Sequence, residues 1–154
     1  MRSFLGSVLS TFTSRMSTRL SFIMISEAMH EKKLANIADS IKKEQSKKLI
    51  LIAGPSSSGK TTFAQRLGIQ LRVNNMSYIT LSMDNYFVPR KEVPLDKNGK
   101  ANYEDINVVD INYLNEDINR LVNGEEIELP EFNFITGERE YNGKMAKLKP
   151  NGVI

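Results

Sequence analysis

"LILIAGPSSSGKTTFAQRLG", residues 49–68, is the stretch from which the rest of the chain can be read. Six residues that are apolar almost throughout lead into a Gly/Ser turn, then a lysine and an amphipathic run. A short run apolar on both faces is the pattern of a parallel strand covered on both sides. Phe63, Ala64, Leu67 and Leu71 then fall on one side of a helix. The turn between them, Gly54-Pro55-Ser56-Ser57-Ser58-Gly59-Lys60-Thr61, fits G-x-x-x-x-G-K-[ST] without a gap. Each part of that pattern has a physical purpose. Glycines let the backbone curl so that successive N–H groups point inward at phosphate oxygens. The helix starting near Lys60 adds the partial positive charge of its N-terminus. The Lys60 ammonium can reach terminal phosphates, and the Thr61 hydroxyl can ligate Mg²⁺. The expected phosphate-binding set is therefore Gly54, Pro55, Ser56, Ser57, Ser58, Gly59, Lys60, Thr61 and Thr62.

Downstream, "SYITLSMD" (77–84) reads as a second strand that ends in an acid. In a parallel sheet the strand C-termini gather on the ligand face, which would set Asp84 beside the phosphate loop. There its carboxylate can accept a hydroxyl proton, contact Mg²⁺ through water, or both; the plainer alternative is an Asp in an ordinary strand-to-loop turn. Residues 85–105 carry two prolines and an Asp-Lys-Asn-Gly-Lys turn and read as loop. Asp110 then caps a helix whose Ile111, Leu114, Ile118 and Leu121 keep a 3.6-residue period, with Gly124 as its stop. "EIELPEFNFITGEREYNG" alternates about a turn at Thr136-Gly137 and predicts a small β-hairpin outside the main sheet. At "NGVI" a third apolar strand begins. The fold class is α/β: a P-loop NTPase-type parallel sheet with flanking helices, incomplete at its C-terminal end, plus a β-hairpin flap.

Upstream, Ser26 predicts a helix N-cap, and Leu34, Ile37, Ala38 and Ile41 form one apolar stripe behind it. The resulting division is an atypical segment 1–25, a leading helix 26–47 and a phosphate-loop domain from 48 to 154. Residues 1–26 hold three arginines, many Ser and Thr, and no acid. That composition fits an organelle transit peptide, the tail of an upstream domain, or a non-native start. With 154 residues the chain has the length of about one domain. It has no cysteine, which excludes disulfides and thiolate chemistry, and its one histidine, His30, reads as a solvated or capping side chain. A net charge of +3 gives no ground for a nucleic-acid surface, and no apolar run is long enough to span a membrane. A cytoplasmic location is the default, with organelle targeting as the alternative.

"LILIAGPSSSGKTTFAQRL", "SMDNYFVPR", "LDKNG", "NGEEIELPEFNFITGERE" and "SEAMHEKKLANIAD" together resemble the uridine kinase/phosphoribulokinase family over about residues 22–154. The likeness is to its bacterial-type members, in which the kinase follows a threonyl-tRNA-synthetase-like N-terminal region. The resemblance implies ATP or GTP as donor, Mg²⁺, and the 5′-hydroxyl of a pyrimidine nucleoside as acceptor. It implies that Asp84 is the catalytic aspartate, with Tyr86 and Phe87 beside it at the acceptor pocket. It sets Tyr103-Glu104 where an acid would contact ribose hydroxyls, and Phe132 and Phe134 where a ring would stack on the base. The family continues past this chain's last position into a strand ending in Glu-Gly, a helix and an arginine-bearing lid. The chain is thus read as the N-terminal part of such a catalytic domain, able to oligomerise.

Two other readings accompany this one. In one, the chain binds a nucleotide without turning it over, as a binding module or degenerate fragment. In the other, it is a P-loop kinase acting on a different small alcohol. A GTPase is disfavoured, because no Asn-Lys-x-Asp base-reading motif follows the loop.

Overall fold

A computed structural model describes residues 2–44, 46–55, 57–103 and 105–154, with side chains from Thr18 onward. Helix α1 spans Arg2–Lys43, α2 Lys60–Val73 and α3 Ile111–Val122. Strands β1 (Glu126–Asn133) and β2 (Glu138–Lys147) form an antiparallel hairpin. One-turn 3₁₀ segments lie at Met83–Tyr86, Arg90–Glu92 and Ile106–Val108.

The parallel sheet is present as three short extended pieces held by four backbone hydrogen bonds. Ile154 N donates to Lys48 O (2.7 Å) and Ile50 N to Ile154 O (2.8 Å). Val153 N donates to Ser77 O (3.1 Å) and Ile79 N to Val153 O (3.0 Å), a parallel bridge between Tyr78 and Val153. The piece at 153–154 therefore lies between 48–50 and 77–79, and all three run the same way. None is long enough to count as a regular strand, so the expected strands at 49–54 and 77–84 are extended segments with one bridge's worth of pairing each. The second stops short of Asp84, because the chain turns into the 3₁₀ segment at Met83.

Alternation along these pieces sends side chains to two cores. Ile50, Tyr78 and Val153 face α1 and α2 and pack with Leu34, Ala38, Leu67, Leu71 and Met76. Ile79, Leu81 and Ile154 face the other way, against Leu121 and Ile118 of α3 and Ile127 and Leu129 of β1. Successive side chains of an extended chain point to opposite faces, so three short pieces can serve two layers. Only Ile50 of the first piece is covered in this way; Leu51 remains 82% exposed.

The caps of α3 are as expected. The Asp110 carboxylate accepts from Tyr113 N at 3.0 Å, and Gly124 takes φ +80° just past the C-terminal end. The start of α1 is not. The helix passes through Ser26 without a break, so Ser26 caps nothing, and it ends at Lys43 rather than at 47. The first proline of the chain is Pro55, so no residue ahead of Ser26 forces a helix to stop. Among the described residues no helix is long and apolar enough to cross a membrane.

The hairpin has one irregularity. Its register shifts between Glu128 and Pro130. Pro130 has no N–H to give to the ladder, and the Gly143 N–H is satisfied instead by the Glu128 carboxylate at 2.6 Å.

Candidate functional site

The phosphate loop connects the 48–50 piece to α2. Two of its residues have left-handed backbones, Ser57 at φ 57° and Gly59 at φ 83°. A side chain at Gly59 would pay for that conformation, whereas glycine adopts it freely. At Gly54 a Cβ would sit 2.8 Å from Ser58 Oγ and would have to turn that hydroxyl aside. Gly59 is the N-cap of α2 and has no side chain with which to cap it. The first N–H groups of a helix have no intrahelical acceptor, so those of Lys60, Thr61 and Thr62 are free to meet an anion. Lys60 folds back over the loop, its Nζ donating to Gly54 O (2.9 Å) and Pro55 O (2.8 Å). Thr61 and Thr62 are exposed. Ser56 lies outside the described residues.

Asp84 sits on the Met83–Tyr86 turn, exposed. The loop follows the first parallel piece and Asp84 follows the second, so both belong to the same carboxyl edge of the sheet. Among the described residues no group of three or more His, Asp or Glu is arranged to hold a metal ion. A metal at this edge would therefore depend on Thr61, Asp84 and the ligand's own phosphate oxygens. That donor set suits Mg²⁺, which is commonly held by one or two protein oxygens plus phosphates.

The turn that bears Asp84 is fastened through its neighbours. Tyr86 is 1% exposed, and its hydroxyl donates to Asp117 Oδ2 at 3.0 Å. The Tyr86 carbonyl accepts from Asp110 N (2.8 Å) and from Arg139 Nη2 (3.2 Å). The same Arg139 nitrogen reaches Phe87 O (3.2 Å) and Asp110 Oδ2 (3.4 Å), and the guanidinium lies 4.7 Å from the Tyr113 ring centroid. Asn85 Oδ1 accepts from Phe132 N at 3.3 Å, which ties the turn to β1. Burial pushes the Asp117 carboxyl up, against the opposing pull of the Tyr86 hydroxyl and Arg120. Burial also raises the hydroxyls of Tyr86 and Tyr113, so both remain protonated; Tyr86 donates to Asp117, and Tyr113 accepts from the Tyr141 hydroxyl at 3.0 Å.

The expected acceptor residues divide into three groups. Phe87, Phe132 and Phe134 come together as an edge-to-face triad, with ring centroids 5.5, 6.1 and 5.2 Å apart. Phe134 is more than half exposed and is held by Arg90, whose Nη2 donates to Phe134 O at 2.8 Å. Tyr86, by contrast, turns inward, and its phenol is an anchor in the core rather than an open pocket wall. Tyr103 is exposed at the surface, and Glu104 lies outside the described residues. A cavity of about 130 Å³ between the turn and the hairpin is lined by Ser82, Asn85, Tyr86, Glu131 and Lys144, among others, and not by Asp84. It is smaller than the roughly 300 Å³ at which small-molecule sites begin.

Asp117 and Arg139 were not among the expected site residues. For Asp117 a signal was available: it falls between Leu114, Ile118 and Leu121, an acid in the apolar stripe of α3. Arg139 has no such mark, because an arginine at alternate positions of a hairpin is ordinary.

Residues 49–154 match the model of the phosphoribulokinase/uridine kinase family. The chain is 34% identical over 106 residues to a uridine kinase of Lactobacillus helveticus (strain DPC 4571), covering 69% of this chain and 49% of that protein. It is 32% identical over 106 residues to a uridine kinase of Mycoplasma genitalium, covering 69% and 48%. It is 30% identical over 108 residues to a uridine kinase of Vibrio vulnificus (strain YJ016), covering 69% and 50%. The chain thus spans about half the length of the curated relatives it matches. The matched stretch opens at Leu49, within the 48–50 piece, so α1 lies outside it.

Proposed function

Because the chain belongs to the phosphoribulokinase/uridine kinase family, we propose that it forms the donor half of a kinase site. In this reading it binds ATP or GTP with Mg²⁺ and takes part in phosphoryl transfer to the 5′-hydroxyl of a pyrimidine nucleoside. The observation that carries the reading is the pairing of two features at one sheet edge: an open phosphate loop after the first parallel piece, and an exposed Asp84 after its neighbour.

The donor phosphates lie against the N–H groups of residues 59–62. Lys60 leaves the carbonyls of Gly54 and Pro55 for the β- and γ-oxygens, a charge-assisted exchange. The Thr61 hydroxyl, with Asp84 directly or through water, holds Mg²⁺. When bound, that ion neutralises charge on the transferring group. Asp84 accepts the acceptor's hydroxyl proton as its oxygen bonds to the γ-phosphorus and the bond to the β,γ-bridging oxygen breaks. The products are a nucleoside monophosphate and a nucleoside diphosphate. The Phe87–Phe132–Phe134 triad offers a ring face to the base. Glu104 contacts the ribose hydroxyls, with Tyr103 beside it.

Titration calorimetry with Mg-ATP, followed by mass-spectrometric detection of UMP from uridine, tests this. Asp84→Asn is expected to keep nucleotide binding and to lose transfer by on the order of 10²-fold or more. Unchanged turnover in that variant rejects the assignment of the base. A second reading, a nucleotide-binding module without turnover, is favoured by the small volume of the cavity between the turn and the hairpin, which Asp84 does not line. Tight Mg-ATP binding with no transfer to any nucleoside would select it.

A further inference from the structure

Asp117 is the one buried charged residue among the described core residues, with 0% exposure, and it is remote in sequence from every residue of the phosphate loop and the Asp84 turn. A buried carboxylate is costly and needs partners. Here one oxygen is satisfied by the Tyr86 hydroxyl at 3.0 Å. The other, Oδ1, has no hydrogen-bond partner and has Arg120 Nη1 only at 3.9 Å. An apolar residue in the same stripe of α3 would avoid this cost, so the carboxylate calls for a reason beyond packing. Its contact supplies one. Tyr86 ends the four-residue 3₁₀ turn whose second residue is Asp84. A 3₁₀ turn of that length has little stability of its own. Its position is set by what grips Tyr86: Asp117 at the hydroxyl, and Asp110 N and Arg139 at the carbonyl.

We propose that Asp117 is a positioning residue for Asp84: by holding the Tyr86 hydroxyl from α3, it fixes the angle at which the Met83–Tyr86 turn presents the Asp84 carboxylate. The proposal rests on the kinase reading for the use made of Asp84, and on geometry alone for the fixing of the turn. Reacting groups displaced by about 1 Å can lose on the order of 10²-fold in rate. The clamp therefore matters to transfer and not to nucleotide binding, because the phosphate loop is anchored separately on α2.

Three variants of the full chain separate these effects. Tyr86→Phe keeps the ring and removes the donor. Asp117→Asn keeps an oxygen that can accept from Tyr86. Asp117→Leu removes the acceptor. Amide hydrogen exchange is read at residues 83–87 and at 60–73, together with Mg-ATP affinity and the rate of UMP formation. Tyr86→Phe and Asp117→Leu are expected to speed exchange at 83–87 by about tenfold, with 60–73 and nucleotide affinity unchanged; a tenfold change corresponds to about 1.4 kcal/mol of local opening. The turnover number should fall about 10- to 100-fold at unchanged affinity for nucleotide. Asp117→Asn should stay near the parent. In an Asp84→Asn background Tyr86→Phe should cost no further activity. Exchange at 83–87 equal to the parent in Tyr86→Phe overturns the proposal. So does acceleration spread evenly over both segments, or the same loss of turnover with Asp84 already removed. If the parent makes no UMP, the kinase reading falls by that result, and exchange at 83–87 still decides whether Asp117 fixes the turn.

Discussion

Lys60 donates to two carbonyls of its own loop, and both bonds are at the surface. Exposed hydrogen bonds of this kind contribute little to stability, because water replaces them. Lys60→Ala is therefore expected to leave the melting temperature almost unchanged while weakening Mg-ATP binding by about tenfold or more, read by calorimetry beside a thermal scan. A large drop in melting temperature would mean that the lysine braces the loop rather than serving the ligand. Asp117 behaves in the opposite way. Its folded-state pKa lies above its ordinary value because it is buried. The folded protein thus binds this proton more tightly than the unfolded chain does, and the associated stability is present at low pH and lost as pH rises through the raised pKa. Asp117→Asn should gain on the parent in melting temperature as pH increases from about 4 to 8. A difference that is flat with pH would show that Arg120 and Arg139 compensate the charge fully. At this scale the loop was legible in the sequence, since the G-x-x-x-x-G-K-[ST] pattern is local and Gly59 takes the left-handed backbone that glycine adopts freely. The fate of Tyr86 was not: whether an aromatic two residues after Asp84 faces ligand or core depends on α3 and the hairpin, elements more than twenty residues away.

Between elements, α1 and α2 meet through an apolar seam with a polar border. Leu34 is fully buried against Leu67 and Leu71. At the border Arg66 Nε donates to Glu31 at 2.7 Å, Arg66 also reaches Glu27 at 3.2 Å, and Gln70 donates to Glu31 at 3.0 Å. Leu34→Ala should cost about 2–5 kcal/mol, the range for emptying a buried leucine site. Arg66→Ala should cost far less, because its partners are at the surface. Urea unfolding of the two variants compares them, and an equal loss would overturn this ranking. Arg66 holds the Glu31 carboxyl below its ordinary pKa. The stability this pair adds is therefore present above the unfolded-state pKa and lost as pH falls through the folded one. The stripe Leu34, Ala38 and Ile41 made the packed half of α1 legible, because a 3.6-residue period needs no knowledge of the partner. The start of the helix was not legible in the same way. A serine before a helical run is a cap only where the chain ahead of it leaves the helix, and α1 continues back to Arg2.

At the scale of the whole molecule, the order of the parallel pieces is what brings the loop and Asp84 to one edge. Each run showed its apolar character in the sequence. Their order did not, because backbone pairing at a separation of about a hundred residues leaves no local pattern; residues 153–154 could as well have joined an outer edge as the space between 48–50 and 77–79. What locks the second piece onto the helical layer is a contact of glycine with an aromatic. A Cβ added to Gly68, in the middle of α2, would lie 2.3 Å from Tyr78 Cζ and 2.7 Å from both Cε atoms. The α2 backbone is thus as close to the Tyr78 ring as it can be, and Arg72 closes over the same ring at 5.2 Å. Gly68→Ala must push the ring aside, at a cost of about 1–3 kcal/mol typical of overpacking, even though alanine is the better helix former. Tyr78→Leu, which removes the ring, should take away most of that penalty. In a double-mutant cycle measured by urea unfolding, Gly68→Ala is then far less damaging in the Tyr78→Leu background than in the parent. Additive losses would mean that the helix and the second piece are held apart by some other contact, and that the common edge of the loop and Asp84 does not depend on this close approach.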